Sequence, residues 1–197
     1  MISRSRRAAL EARLRPLTVT SEHERVEPAL TQSTDLSRLR RLVLSTVVLD
    51  VTREHILAHG AANSEAALCW AGTTDGESGL VTTALVFASA GERGSVHVSA
   101  SETGLLYAHC HARGLTLLAQ VHSHPADAFH SPFDERSPHS AEPGFLSLVV
   151  PNFGACRFDS FEAWAVFEQV SYEKWREWDA TEKRRRLKLL DSVISIP

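Results

Sequence analysis

The sequence predicts an α+β domain built on a mixed sheet, and three observations carry that prediction. Short apolar runs rich in β-branched residues recur along the chain, each closed by Gly or Pro, and suit buried strands. Two segments between them carry helix punctuation instead: residues 53–59 end at Gly60, and residues 99–113 open on Ser-Ala-Ser-Glu and stop at Gly114. With 197 residues, 43% of them hydrophobic and 23% charged, the chain is long enough for one domain with a full core.

Taken in order, residues 1–40 read as an N-terminal extension. Residues 2–16 are rich in Arg, Ala and Leu and favour a short helix, residues 17–37 look like a polar linker, and residues 38–41 read either as a solvated basic run or as a basic spot that meets an acidic partner. The domain is expected over 41–197. Residues 42–49 suit a strand, after which Asp50 or Thr52 can cap the first helix. Residues 66–71, 80–87 and 95–98 read as strands, followed by the second helix. Residues 115–121 form the next strand, and a long loop rich in Pro, Ser and charge runs from it to Gly144. Residues 145–150, ended by Pro151, and 163–168 complete the strands; residues 172–178 look helical, and 186–196 fit either state. Strands interrupted by two helices in this way give a mixed sheet with the helices packed on it.

Composition narrows the function. A net charge of −3 argues against a general nucleic-acid binder. No apolar run approaches the ~20 residues that cross a bilayer, and no signal-peptide core follows the N-terminus, so a cytoplasmic protein without a membrane partner is expected. Cys69, Cys110 and Cys156 have no paired spacing and read as reduced thiols. Ten histidines are many for this length, and six of them fall between positions 109 and 139.

The densest stretch is His122-Ser123-His124-Pro125. On a strand alternate side chains share a face, so both imidazoles point the same way, roughly 6–7 Å apart at the backbone. Pro125 ends the ladder. Two imidazoles with a carboxylate returning from the loop make a three-ligand set with an open fourth position, the arrangement of catalytic zinc. Asp127, Asp134 and Glu135 are the candidate carboxylates. Asp127 follows His124 too closely to swing back easily, whereas Asp134 follows nine loop residues, and Ser131 or Pro132 can start a helical turn that aims it. His130 is a rival ligand. Hydrolysis also needs a proton acceptor. Glu65, just before the strand at 66–71, suits that role or is a solvated loop residue; spacing alone leaves both readings open.

His122-Ser123-His124-Pro125 followed by Ser131-Pro132-Phe133-Asp134 resembles the His-x-His-Pro…Ser-x-x-Asp signature of the JAMM metalloproteases, also called the JAB/MPN family. Residues 53–72 resemble the family's first helix, catalytic glutamate and following strand, and residues 144–151 resemble the strand after the metal loop in bacterial members. The resemblance covers roughly residues 42–170 and implies a curved mixed sheet of the cytidine-deaminase-like type flanked by helices. It implies a zinc-dependent isopeptidase that removes a ubiquitin-like modifier or processes its C-terminus. Zinc would be held by His122, His124 and Asp134, with Glu65 as general base and acid and Ser131 steadying the water or oxyanion. The implied partners are a ubiquitin-like modifier, its conjugates, and the activating and conjugating enzymes of that pathway. Two departures stand out: six residues rather than seven separate His124 from Ser131, and Ala66 and Ala67 replace two glycines often found there. A non-catalytic MPN scaffold that binds a ubiquitin-like protein is the first alternative. A cupin-like metal oxygenase is the second, although the helix after Ser99 interrupts the all-β run it requires.

Overall fold

The computed structural model describes residues 35–87 and 98–190. The readings made for residues 2–16, for most of 17–37, for the strand at 95–98 and for the end of the chain beyond 190 fall outside them, wholly or in part. Leu36 and Leu39 are each 2% exposed, so the chain is already packed into the core ahead of the first strand.

Strand β1, Arg41–Ser45, is shorter than the sequence suggests, because the chain turns into helix α1, Thr46–Ala61, at a Ser45 cap. The Ser45 hydroxyl accepts the Val48 amide at 3.3 Å. Residues 46–49 were expected to be strand; they are helical because Val48, Leu49, Thr52, His55 and Ile56 make one buried stripe at helical spacing. Burial of that stripe outweighs the weak β preference of the valines. Thr52 does not cap anything: its hydroxyl donates to the Val48 carbonyl at 2.8 Å and accepts the Trp70 indole N–H at 2.9 Å.

Strands β2, Ala67–Thr74, and β3, Ser78–Val86, form a hairpin. Asp75 shapes its turn by accepting the amides of Glu77 and Ser78, with Gly76 at φ +93°. Helix α2, Ala100–Ala112, opens on the expected capping box: Ser99 Oγ accepts the Glu102 amide and Glu102 Oε2 accepts the Ser99 amide. Strand β4, Thr116–Ser123, follows, and a five-residue helix α3, Pro132–Arg136, lies within the long loop. Strand β5, Leu146–Val150, stops at Pro151 as anticipated and runs into a 3-10 turn, Asn152–Gly154.

Strands β6, Ala165–Ser171, and β7, Lys174–Glu177, form a second hairpin, which corrects the helical reading of residues 172–178. Glu173 takes a positive φ of 56° at its tip. The cross-strand pairs of β6 and β7 decide the local structure there. Helix α4, Ala180–Arg186, and strand β8, Leu187–Leu190, end the described chain.

Among the described residues the strands form one sheet in the order β7-β6-β5-β4-β2-β3-β1-β8. Strand β4 therefore lies inside the sheet, antiparallel to β2 and parallel to β5. Trp70, Trp164, Phe145 and Leu118 lie in the core at 1% exposure or less. Trp164 and Trp178 are core residues, whereas Tyr172 is 65% exposed. The sheet leaves the C-terminal end of β4 open to a cleft beside the N-terminal end of β2.

Candidate metal centre and catalytic cleft

Strand β4 delivers its histidines where the hydrogen-bond ladder runs out. His122 pairs with Ala67 on one side and Val149 on the other. His124 donates its amide to the Val150 carbonyl at 2.9 Å, and its own carbonyl accepts the Phe153 amide at 2.7 Å. Pro125 then turns the chain away. The two imidazoles emerge together, their centroids 5.0 Å apart, with both residues buried. The Asp127 backbone hydrogen-bonds the His124 ring and fixes its orientation.

Asp134 reaches the same point through local folding. Ser131 caps α3: its amide donates to Asp134 Oδ2 at 2.7 Å, and its hydroxyl accepts the Asp134 amide at 3.3 Å. Pro132 at the first helical position supports this turn. The carboxylate then stands 3.3 Å from His122 Nε2 through Oδ1 and 3.5 Å from His124 Nε2 through Oδ2. One ligand atom from each of the three residues lies within 4.8 Å of the others. Burial disfavours charge on Asp134, but the neighbouring imidazoles and Ser131 prevail and hold its carboxyl far below the usual range.

A cation fits these residues. His122 Nε2 is buried and makes no well-formed hydrogen bond among the described residues, its one polar neighbour being the Asp134 carboxylate at 3.3 Å, the co-ligand it would share with a cation. Two imidazole nitrogens and one ionised carboxylate form a donor set for zinc or a similar divalent ion, with a coordination position left over.

Glu65 closes the site from the other side. It precedes β2, whose pairing with β4 continues past Ala67: the Ser123 amide donates to the Ala66 carbonyl at 3.0 Å, and the Ala66 amide donates to Ser123 Oγ at 3.0 Å. That register brings Glu65 beside His124. Helix α1 holds the same backbone through His59, whose ring hydrogen-bonds the Glu65 backbone, and His55, whose Nε2 lies 3.2 Å from the Ala67 carbonyl oxygen. Glu65 is 5% exposed, which excludes the solvated-loop reading. Burial pushes its carboxyl up to about 7, helped by repulsion from Asp134 and opposed by attraction to His124. A carboxyl there gains and loses a proton near neutrality, as a general base must.

The structure separates the rival ligands from the site. Asp127 is exposed, and neither it nor Glu135 joins the three clustered ligands. His130 turns away: its Nε2 lies 2.9 Å from Ser147 Oγ, and burial together with the nearby His122 pushes its pKa down to about 3. Sequence reasoning missed the brace that His130 belongs to. Gln120 Nε2 donates to Ser147 Oγ at 3.0 Å, while Gln120 Oε1 accepts the His139 amide at 2.9 Å. The loop is thus tied to β5 before α3 and to β4 after it. The available signal was Gln120 itself, an amide in an otherwise apolar strand. The i, i+4 spacing of His55 and His59 was another.

Glu65, His122, His124, Ser131 and Asp134 all line one cleft of about 770 Å³, with Phe129 and Phe133 on its outer wall. A buried, proton-accepting carboxyl facing three metal-type ligands in an open cleft is the equipment of a metal-dependent hydrolase. No family model matches the sequence. A curated relative, the probable metalloprotease y4jG of Sinorhizobium fredii, is 32% identical over 146 residues, covering 72% of this chain and 90% of its own length. The solution structure of DSY2949 from Desulfitobacterium hafniense shares the fold, with a TM-score of 0.53 at 16% identity over 77% of this chain and 94% of that one. A JAB1/MPN domain protein, AF2198 from Archaeoglobus fulgidus, aligns more loosely, with a TM-score of 0.41 at 14% identity over 76% and 98%. The chain belongs to the JAMM, or JAB/MPN, family of metalloproteases. Its mixed sheet with flanking helices is the MPN-like α+β fold, which rules out the cupin alternative.

Proposed function

We propose that this metalloprotease is a zinc-dependent isopeptidase or peptidase that removes a ubiquitin-like modifier or trims its C-terminus. The observation that carries the reading is the meeting of His122, His124 and Asp134 within 4.8 Å, with buried Glu65 in the same cleft. Zinc held by those three residues would supply Lewis acidity, polarising a carbonyl and acidifying water. Glu65 takes the proton of the attacking water and later returns it to the departing amine. Ser131 offers its hydroxyl to the developing oxyanion while its amide keeps Asp134 in place. His124 is kept in orientation by the Asp127 backbone, and His122 by its place in the ladder.

The modifier preference follows from the resemblance of the His-x-His-Pro and Ser-x-x-Asp segments to a family of isopeptidases. A cytoplasmic setting beside activating and conjugating enzymes agrees with it. Among the described residues no helix is long and apolar enough to cross a membrane. The test is cleavage of a ubiquitin-like protein carrying a C-terminal extension, with the metal measured by native mass spectrometry. Zinc-dependent release of the extension, abolished by chelation and restored by zinc, is expected. A zinc-loaded chain that cuts unstructured peptides but no such fusion would sink the modifier preference.

A further inference from the structure

The two basic runs of the chain, far apart in sequence, line one cavity. Strand β1 pairs in parallel with β8, Leu42 opposite Leu187 and Val43 opposite Lys188, which sets residues 37–41 beside the end of α4. A cavity of about 680 Å³ opens between them. Among the described residues six cationic side chains line it (Arg38, Arg40, Arg41, Arg185, Arg186 and Lys188) against two carboxylates, Glu77 and Glu168. Glu168 is engaged internally, with Arg186 Nη1 2.9 Å and Arg176 Nη2 2.5 Å from its Oε2. The other five cations are exposed. Asp35, Asp75 and Asp179 lie near enough to feel the charges of Arg38, Arg41 and Arg185, and Arg41 and Lys188 donate to Ser78 Oγ and the Arg184 carbonyl, yet among the described residues no carboxylate comes within ion-pair distance of any of the five. On a chain of net charge −3, this concentrates positive potential at one place.

Topology separates this place from the catalytic cleft. Strand β1 runs parallel to β3, β3 is antiparallel to β2, and β2 is antiparallel to β4, so β1 and β4 point the same way. Residues 37–41 and 185–188 therefore lie at the end of the sheet where β4 begins, roughly 20–25 Å along that strand from the histidines. A ligand held there does not touch the metal residues. Guanidinium forks suit carboxylates and phosphates alike. Among the described residues the lining holds no aromatic side chain on which a nucleobase could stack, which disfavours a single-stranded nucleic acid.

We propose that the cavity between residues 37–41 and 185–188 docks an acidic, Asp/Glu-rich stretch of a partner polypeptide. The site works without the metal centre, so its test is independent of the catalytic reading. A fluorescein-labelled hexaglutamate peptide is titrated with the full chain and followed by anisotropy. Saturable binding is expected, weakening about tenfold or more in an Arg40→Glu, Arg185→Glu double variant. It should also weaken as salt rises from ~50 to ~300 mM. Asp134→Asn should leave it unchanged. The neutral pair Arg40→Gln, Arg185→Gln, with an unchanged circular dichroism spectrum, should show an intermediate loss. Equal affinity in the charge-reversed chain, binding abolished by Asp134→Asn, or tighter capture of a single-stranded oligonucleotide of equal charge would each overturn the proposal.

Discussion

The imidazole of His130 lies flat on the ring of Phe167, with centroids 3.9 Å apart and planes inclined by 14°. The Trp175 ring meets it edge-on at 5.0 Å, and Ser147 holds its Nε2. The residue directly before the Ser131 cap is thereby fastened to β5, β6 and β7. The metal loop enters α3 from a fixed point, and His130 is a positioning residue.

His130→Ala should cost about 2 kcal/mol of stability by removing a stacked ring. Turnover should fall because Ser131 and Asp134 lose their anchor, yet one metal ion per chain should remain. Denaturant titration and native mass spectrometry check both. A variant that loses its metal outright would return His130 to the ligand set.

Glu65→Gln preserves the size and burial of the side chain but cannot take up the proton. Activity should drop on the order of 10²–10⁴-fold, with metal content and melting temperature nearly unchanged. Turnover within tenfold of the parent chain would show that the proton goes elsewhere.

Thr52→Val isolates a structural link between α1 and β2. The Trp70 indole N–H, fully buried, would lose its acceptor. A loss of about 1–3 kcal/mol is expected, the cost of an unsatisfied buried donor, with kcat little changed. A neutral result in chemical denaturation would mean that the indole finds another acceptor.

Glu168 predicts the response to acid. Burial opposes its charge, but Arg186, Trp178 and Arg176 prevail and hold its carboxyl below the ordinary 4.5. A depressed carboxyl adds stability that is present above 4.5 and is lost as pH falls through the lower folded value. The parent chain should therefore lose melting temperature more steeply below that point than Glu168→Gln does. At neutral pH the variant should be less stable by about 1–3 kcal/mol, since buried Arg186 loses its main carboxylate but keeps Glu182 at 3.5 Å and the Leu39 carbonyl. Parallel melting curves against pH would remove Glu168 as a cause.

Much of this was legible because it rests on local chemistry. The capping boxes at Ser99 and Ser131, the Pro stops after His124 and Val150, and the alternation that pairs His122 with His124 all act over a few residues. Two elements were misread because distant packing decides them. Residues 46–49 look like strand until the stripe from Val48 to Ile56 is seen to bury against the sheet. Residues 172–178 pair with β6 in a hairpin that their aromatic spacing does not announce. The environment of Glu65 was beyond reach for the same reason: strand partners 57 residues apart bury it, as the Ala66–Ser123 hydrogen bond shows. His130 could not be sorted between ligand and core until Phe167 and Ser147 were placed beside it.

The pairing of Ser131 with Asp134 has a consequence for how the metal is acquired. A zinc finger must gather its ligands as it folds, and falls apart when stripped. Here the Ser131 amide already holds the carboxylate, the Ser131 hydroxyl holds the Asp134 backbone, and a strand already holds the imidazoles. The ion would enter and leave a ready-made cradle, with the scaffold standing in either state. Metal supply, rather than refolding, would then act as the throttle on turnover.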